Sequence, residues 1–325
     1  MGGALSLVHE NYSSYINKVL QPSRNPKYTV LDLFAGCGGL SLGFESAGFK
    51  SIGMECEKNC CNTYNENLKG ECHEQFITSR TKFPEADVVI GGPPCQPFSV
   101  IGKQLGNDDK RNGFPAFIKA VEKINPAIWM FENVRGMMYR NKDYFESSLK
   151  KLKKLGYRVE YKLLNAVEYG VPQNRERVIA VGYDGNFEYP SPVTTKVTAG
   201  EALEKMALEI PADSKFLTPS MDKYVASYEK KSKLITPRDL HLDRPSRTLT
   251  CRNLAGSTAD MHRIKLSDGR RRRLRVKEAA RLQSFPDWFE FQGSETERFN
   301  QIGNAVPPLF ARAIALQFKK HLDKN

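Results

Sequence analysis

Cys95 stands in the stretch Gly91-Gly-Pro-Pro-Cys-Gln-Pro-Phe-Ser99. It follows Asp87-Val-Val-Ile90, a short apolar run that reads as a strand. The thiol should therefore emerge at the carboxyl edge of a sheet, where ligands bind in open α/β folds. A lone cysteine is most often a small buried hydrophobe. The flanking prolines point instead to a rigid, irregular loop, and a thiolate held there could act as a nucleophile. Residues 99–113 carry Ser99, Gly102, Gly106, Asn107 and Gly113 with few apolar side chains, which suits a loop over a substrate. Glu132, in Phe131-Glu-Asn-Val134, ends the most apolar run of the chain and falls near the same edge. Taken alone, it would more often be a strand-end carboxylate in a salt bridge. Gln173-Asn-Arg-Glu-Arg177 precedes the last strand-like segment and adds Arg175 and Arg177, whose ordinary alternative is surface pairing with Glu176.

A second constellation lies in Asp32-Leu-Phe-Ala-Gly-Cys-Gly-Gly-Leu40, where the first strand meets the first helix. Glycines there let the backbone turn tightly and approach a ligand. The dinucleotide fingerprint begins well with Gly36 and Gly38, but its third glycine is replaced by Ser41. Glu55, at the end of the second strand, could hold ribose hydroxyls. The site is thus suited to a nucleoside cofactor without a pyrophosphate, and S-adenosylmethionine is such a cofactor.

The elements that must position these groups alternate in type. Tyr28–Leu33, Ser51–Glu55, Asp87–Ile90, Pro126–Phe131 and Arg177–Gly182 read as strands. Between them, Phe145, Leu149 and Leu152 recur at helical spacing, and Gly156 can end that helix. This alternation predicts an α/β fold, a parallel sheet covered on both faces. After about Tyr183 periodicity weakens and proline, threonine and basic residues rise, so a smaller domain is expected over 185–275. Helical patterns return at Val276–Gln283 and Pro308–His321, so residues 1–184 should be completed by 276–325.

Composition narrows the partners. Lys and Arg number 49 against 37 acidic residues, a net charge of +12 that suits a polyanion. The densest basic run, Arg270 to Arg273, is expected to be a solvated strip that phosphates would relieve of its self-repulsion. No apolar run approaches the roughly 18 residues of a spanning helix, and no secretory signal is expected. The seven cysteines form no paired CxxC units, which fits reduced thiols in a cytoplasm. Cys56, Cys60, Cys61, Cys72 and His73 are close in sequence, but their irregular spacing leads us to expect no metal.

Taken together, these segments resemble the cytosine-C5 DNA methyltransferase family, of the bacterial modification type. The Asp32–Leu40 loop resembles its first cofactor motif, Gly92-Pro-Pro-Cys-Gln its nucleophile motif, and Glu132-Asn-Val with Gln173-Asn-Arg-Glu-Arg its two base-handling motifs. Arg273-Leu-Arg-Val-Lys-Glu-Ala-Ala-Arg-Leu-Gln-Ser-Phe-Pro286 resembles the helix that braces the recognition domain. Gln301-Ile-Gly-Asn-Ala-Val-Pro307 resembles the last motif, which returns to complete the cofactor pocket. All stand in the family's order, and the resemblance fades over about 185–270. One departure is the third strand. The family commonly has a Gly-Asp-Ile-like segment there, and here the stretch is Glu74-Gln-Phe-Ile77, so the adenine contact stays unassigned.

The resemblance implies an S-adenosylmethionine-dependent Rossmann-like sheet with a small target-recognition domain. It implies Cys95 as the thiolate that adds to carbon 6 of cytosine, with Glu132 serving ring nitrogen N3. Arg177 would hold O2 and orient Glu132, with Arg175 assisting. The cofactor would be lined by Phe34, Ala35, Gly36, Gly38, Gly39, Leu40, Glu55, Pro94, Asn304 and Val306. The base must swing out of the duplex to be reached. DNA contacts are expected from Ser99, Arg111, Thr248, Leu249, Arg252, Asn253, Arg263 and Arg271, with Arg271 on phosphates. For Arg252, the alternative is an internal pair with an acid such as Asp260. The partner would be double-stranded DNA, with a cognate restriction endonuclease as functional partner. A monomer in a bacterial cytoplasm, at the nucleoid, is expected. Two other readings are a tRNA cytosine methyltransferase and a non-catalytic DNA-binding relative. The first usually carries a Cys-Phe-Thr segment, absent here. The intact Cys95, Glu132 and Arg177 argue against the second.

Overall fold

The structure is a computed structural model that describes residues 11–94, 112–232, 238–256 and 259–324. A short helix, α1 (Tyr12–Val19), is followed by β1 (Tyr28–Leu33), α2 (Gly39–Ser46), β2 (Phe49–Glu55), α3 (Lys58–Asn67) and β3 (Glu71–Glu74). Then come β4 (Val88–Gly91), α4 (Phe114–Ile124), β5 (Ile128–Val134), α5 (Lys142–Lys153), β6 (Arg158–Asn165) and β7 (Glu176–Tyr183). The seven strands form one sheet in the order β3-β2-β1-β4-β5-β7-β6.

Strand alternation divides the core in two. Val30, Val88, Ile90, Ile128, Met130, Ile179 and Val181 face one side and pack with Leu42 and Phe44 of α2. Their neighbours Leu31, Leu33, Val89, Trp129, Phe131, Val178 and Ala180 face the other and pack with Phe117 of α4 and Phe145 of α5. Both faces are covered, which is why these strands read as continuous apolar runs. The sheet is not wholly parallel, however. β7 runs antiparallel to both β5 and β6. A short connection joins β6 to β7, and only an antiparallel pair can be closed that way. The alternation of strands and helices foretold the parallel part but not β6. That strand lies at the sheet's edge and is largely exposed, so it has no apolar run to betray it.

Beyond the sheet lie α6 (Ala199–Leu203), α7 (Pro219–Lys231) and a hairpin of β8 (Arg263–Lys265) with β9 (Arg271–Arg273). Three helices close the chain: α8 (Val276–Leu282), α9 (Glu295–Asn304) and α10 (Pro308–Leu322). α10 returns to cover the sheet. It lies so close to α2 that a Cβ on Gly43 would sit 2.4 Å from that of Ala311. Val197, Ala202, Leu203, Leu240, Leu249, Leu254 and Ile264 belong to the same buried cluster as α2 and α10. The segment after β7 therefore rests on the main core. Among the described residues no helix is long and apolar enough to cross a membrane.

Candidate active site

β1 and β4 are neighbours, yet the chain leaves β1 toward β2 and leaves β4 toward β5, on opposite sides. This opens a crevice at their carboxyl ends. Phe34 (φ +61°), Gly36 (φ +55°) and Gly38 (φ +89°) make the turn from β1 into α2 in left-handed conformations. Glycine adopts that region freely, whereas a phenylalanine there is strained and must be held by its surroundings. Its ring tip would lie 2.8 Å from a Cβ on Gly113, and Gly113 donates its N–H to the Pro94 carbonyl at 3.0 Å. Phe34, Pro94 and the start of α4 are thus packed together.

The glycines of the turn have different tasks. A Cβ on Gly36 would meet nothing within 4 Å, so this backbone faces open space that a ligand could fill. A Cβ on Gly38 would instead lie 2.8 Å from Tyr64, and one on Gly39 2.5 Å from the carbonyl oxygen of Val306. Both are closely packed on that side and offer a ligand their backbone. The Leu40 side chain is in the core, so it too has its backbone to offer a ligand. Val306 lies against the glycine turn. Asn304 is exposed and accepts from the Cys251 thiol at 2.9 Å.

Two carboxylates underlie the turn. Glu55 accepts from the Gly36 N–H (2.9 Å) with one oxygen and from the Cys56 (2.7 Å) and Glu57 (3.0 Å) N–H groups with the other. It ties the turn to the start of α3, and its Oε2 keeps acceptor capacity for one more donor. Asp32 is buried, accepts from the Ser41 hydroxyl at 2.7 Å, and has a second oxygen with no partner among the described residues. Burial pushes its carboxyl up to about 7, against the opposing Ser41 hydrogen bond.

At the neighbouring strand end, Glu132 Oε1 lies 2.7 Å from Arg177 Nε, with both side chains 12% exposed. The pair forms because β5 and β7 are antiparallel neighbours, whose carboxyl and amino ends meet. A Cβ on Gly92 would lie 3.6 Å from Glu132 Oε2, so this carboxylate faces the segment leading to Cys95. Cys95, Ser99 and Arg111 themselves lie outside the described residues. Asn133 is buried and donates to the Pro93 carbonyl at 2.9 Å, bracing that segment from β5. Sequence reasoning gave Asn133 no role; a polar residue beside an acid at the end of an apolar strand was the available signal. Arg177 lines a cleft of about 450 Å³ between Val134–Gly136 and Asn174, with Thr248 also on its wall.

Arg175 is corrected. It is fully buried and donates to the backbone carbonyls of Leu249 (2.8 Å) and Gly303 (3.3 Å). Its guanidinium joins three segments of chain behind the site instead of assisting at a base. Glu176 pairs with Arg135, so neither Arg175 nor Arg177 has the surface partner that was their ordinary alternative.

The sequence model of the C-5 cytosine-specific DNA methylases matches residues 28–214 and 194–320. The chain belongs to this family. The methylase is 53% identical over 320 residues to the type II methyltransferase M.AplI of Arthrospira platensis, a match covering 97% of this chain and 93% of the other. It is 34% identical to M.BsuRI of Bacillus subtilis, over 90% of this chain and 79% of the other. A solved structure of Spodoptera frugiperda DNMT2, 18% identical, shares the fold with a TM-score of 0.70, covering 90% of this chain and 100% of that one. The methylase is accordingly a DNA cytosine-C5 methyltransferase, which puts the tRNA and non-catalytic readings aside.

Several expected DNA contacts prove to be structural. Arg263 is fully buried between Asp239 and Glu229, and cannot reach a groove. Arg271 is not a free phosphate ligand, because it pairs with Asp222 and Asp239, each at 3.0 Å. Arg272 is wholly buried on Glu278, in two bonds of 2.9 and 2.7 Å. The run Arg270–Arg273 is therefore no solvated strip. In strand β9 successive side chains point to opposite faces, so adjacent arginines find separate partners. Only Arg270 stands out, beside Asp268 and over the Phe216 ring. Leu249 is in the core. Asn253 is buried in a turn, donating to the Thr248 carbonyl at 2.9 Å and accepting from the Thr250 N–H at 2.8 Å. Arg252 remains exposed, while Asp260 is taken by Arg238 and Arg247.

Proposed function

We propose that the methylase uses S-adenosylmethionine to methylate carbon 5 of a cytosine swung out of a specific site in double-stranded DNA. The observation that carries this is the Glu132–Arg177 pair at 2.7 Å, half-enclosed at the crevice beside Gly92-Pro-Pro. When bound, S-adenosylmethionine would supply the electrophilic methyl group. Residues fit to hold it are Gly36, with its open face, Phe34, Ala35, Pro94 and the remaining acceptor capacity of Glu55. The first N–H groups of α2, from Gly39 and Leu40, have no acceptor within the helix and suit a carboxylate.

Carbon 5 of cytosine is too weak a nucleophile on its own. Addition of the Cys95 thiolate at C6 breaks aromaticity and makes C5 enamine-like. Charge then builds on the ring, and Glu132 meets it at N3 with a proton or hydrogen bond. Arg177, which already holds Glu132, reaches O2. After methylation a base or water takes the C5 proton and Cys95 leaves by elimination.

Residues 1–184 with 276–325 would form the catalytic part and 185–275 the part that grips and reads DNA, acting as a monomer. The type II relatives support a place in a restriction–modification pair, with a cognate endonuclease as partner, in a bacterial cytoplasm at the nucleoid. DNA containing 5-fluorocytosine should trap a covalent adduct at Cys95, because fluorine cannot leave as a proton. Cys95→Ser should lose methyl transfer and the adduct while keeping cofactor binding. A wild-type enzyme that methylates natural DNA but never forms the adduct would refute the mechanism.

A further inference from the structure

A second cleft of about 450 Å³ opens beside the first, and both are lined by Asn174 and Thr248. The ridge between them is built from two chain segments. Ser246 donates its N–H to the Pro172 carbonyl (2.9 Å), Asn174 returns one to Ser246 (2.8 Å), and the Thr248 hydroxyl donates to the Asn174 carbonyl (2.6 Å). A duplex presenting a cytosine to Arg177 would lay its adjoining base pairs over this ridge.

The second cleft is walled by Arg238 and Arg247, which meet on a single carboxylate oxygen of Asp260. Arg247 also donates to the Asp260 backbone carbonyl, and Arg238 lies over the Tyr228 ring, 5.8 Å from its centre. Their side chains are 32% and 28% exposed. Both Nε atoms are buried, so the donors that can face the cleft are those of the terminal nitrogens. Charge in this region is unevenly spread. At the far end Arg263 and Arg271 have three carboxylates between them, Asp239, Glu229 and Asp222. At the cleft end two guanidiniums share one. The cleft end is thus short of acceptors and rich in oriented donors.

Resting on the activity proposed above, we infer that Arg238 and Arg247 read a guanine of the recognised duplex, through the N7 and O6 acceptors on its major-groove edge. A planar guanidinium held from one side by a carboxylate presents its remaining N–H groups in a fixed fork, and that fork matches this edge. A guanine is present in any such duplex, since the target cytosine is paired with one. Phosphate binding would need no such orientation. The exposed Arg244 on the same cleft, with only Asp243 at 3.7 Å among the described residues, suits that lesser task.

The test replaces each guanine of the site in turn by 7-deazaguanine, which keeps base pairing and lacks the N7 acceptor. Mapping methylated cytosines in DNA treated with the wild-type enzyme first defines the site. Wild type should bind about tenfold more weakly when one particular guanine is replaced. Arg238→Lys and Arg247→Lys keep the charge facing Asp260 but lose the fork. Each should bind unmodified DNA about tenfold more weakly and be indifferent to that replacement. Thermal melts confirm that the variants are folded, and the wild-type series decides even where one is not. Sensitivity at no guanine, or sensitivity that survives in both lysine variants, overturns the inference. Absence of any DNA methylation by wild type would instead sink the parent activity.

Discussion

The sheet edge and the segment after β7 both contain arginines beside carboxylates, but they treat buried charge in opposite ways. At the edge matched opposite charges are few among the described residues. Glu132 has Arg177, Glu55 has backbone N–H groups, and Asp32 has one hydroxyl and an unpartnered oxygen. In the β8–β9 hairpin partners are redundant: Arg263 has two acids, Arg271 has two, and Arg272 takes both oxygens of Glu278. A guanidinium whose charge is matched by its own acids and whose head is buried has little left for a ligand. One with spare capacity at a cleft can act on something else. Partner number, more than residue type, separates structural arginines from functional ones here.

This contrast can be broken most sharply at its ends. Glu132→Gln should lower kcat by roughly a hundred- to ten-thousand-fold, the usual span for a lost proton donor, with little change in thermal midpoint. A variant that unfolds early but turns over normally would move Glu132 into the structural class. Arg272→Ala should do the reverse. Leaving buried Glu278 with Arg275 as its remaining partner, at 3.2 Å, should cost about 3 kcal/mol of stability, the low end for a broken buried pair, read by denaturant titration. The salt dependence of DNA binding should keep its slope, since no phosphate contact is lost. A slope flatter by about one unit would restore the phosphate role once expected of this run.

The mildest change is expected at Asp32, and it depends on pH. With its folded-state pKa raised to about 7, the carboxyl contributes stability that is fully present below its unfolded value near 4. That contribution is lost as pH rises through about 7. Asp32→Asn should therefore be nearly silent near pH 4 and should remove the decline between about pH 4 and about pH 7. Parallel denaturation midpoints for wild type and variant across that range would show that Asp32 does not titrate there.

Much of the sheet was legible in the residues because its strands are covered on both faces and are apolar throughout. β1 (Tyr28–Leu33) has the bounds its residues foretold, and β4, β5 and β7 begin or end within a few residues of theirs. The edge strand β6 was hidden, since one exposed face leaves no apolar run. In the site, Glu132 and Arg177 could be paired in advance because each motif abuts a strand end. Arg175, two residues from Arg177, could not be told apart from it. In a segment leading into a strand, alternate residues share a face only if the backbone is already extended, and the two guanidiniums point to different places.

Sequence alone determined which chemistry is available: a proline-flanked thiol, an acid at a strand end, and a glycine turn before a helix. These are local properties, carried by residue type and backbone preference over a few positions. Which arginine serves DNA and which serves the fold was decided only by tertiary structure. The acids that neutralise Arg263, Arg271 and Arg272 come from α7, the segment around Asp239 and α8, and α7 and Asp239 are distant in sequence from β9. An arginine's role depends on whether such a partner arrives, and no pattern of neighbouring residues records the arrival.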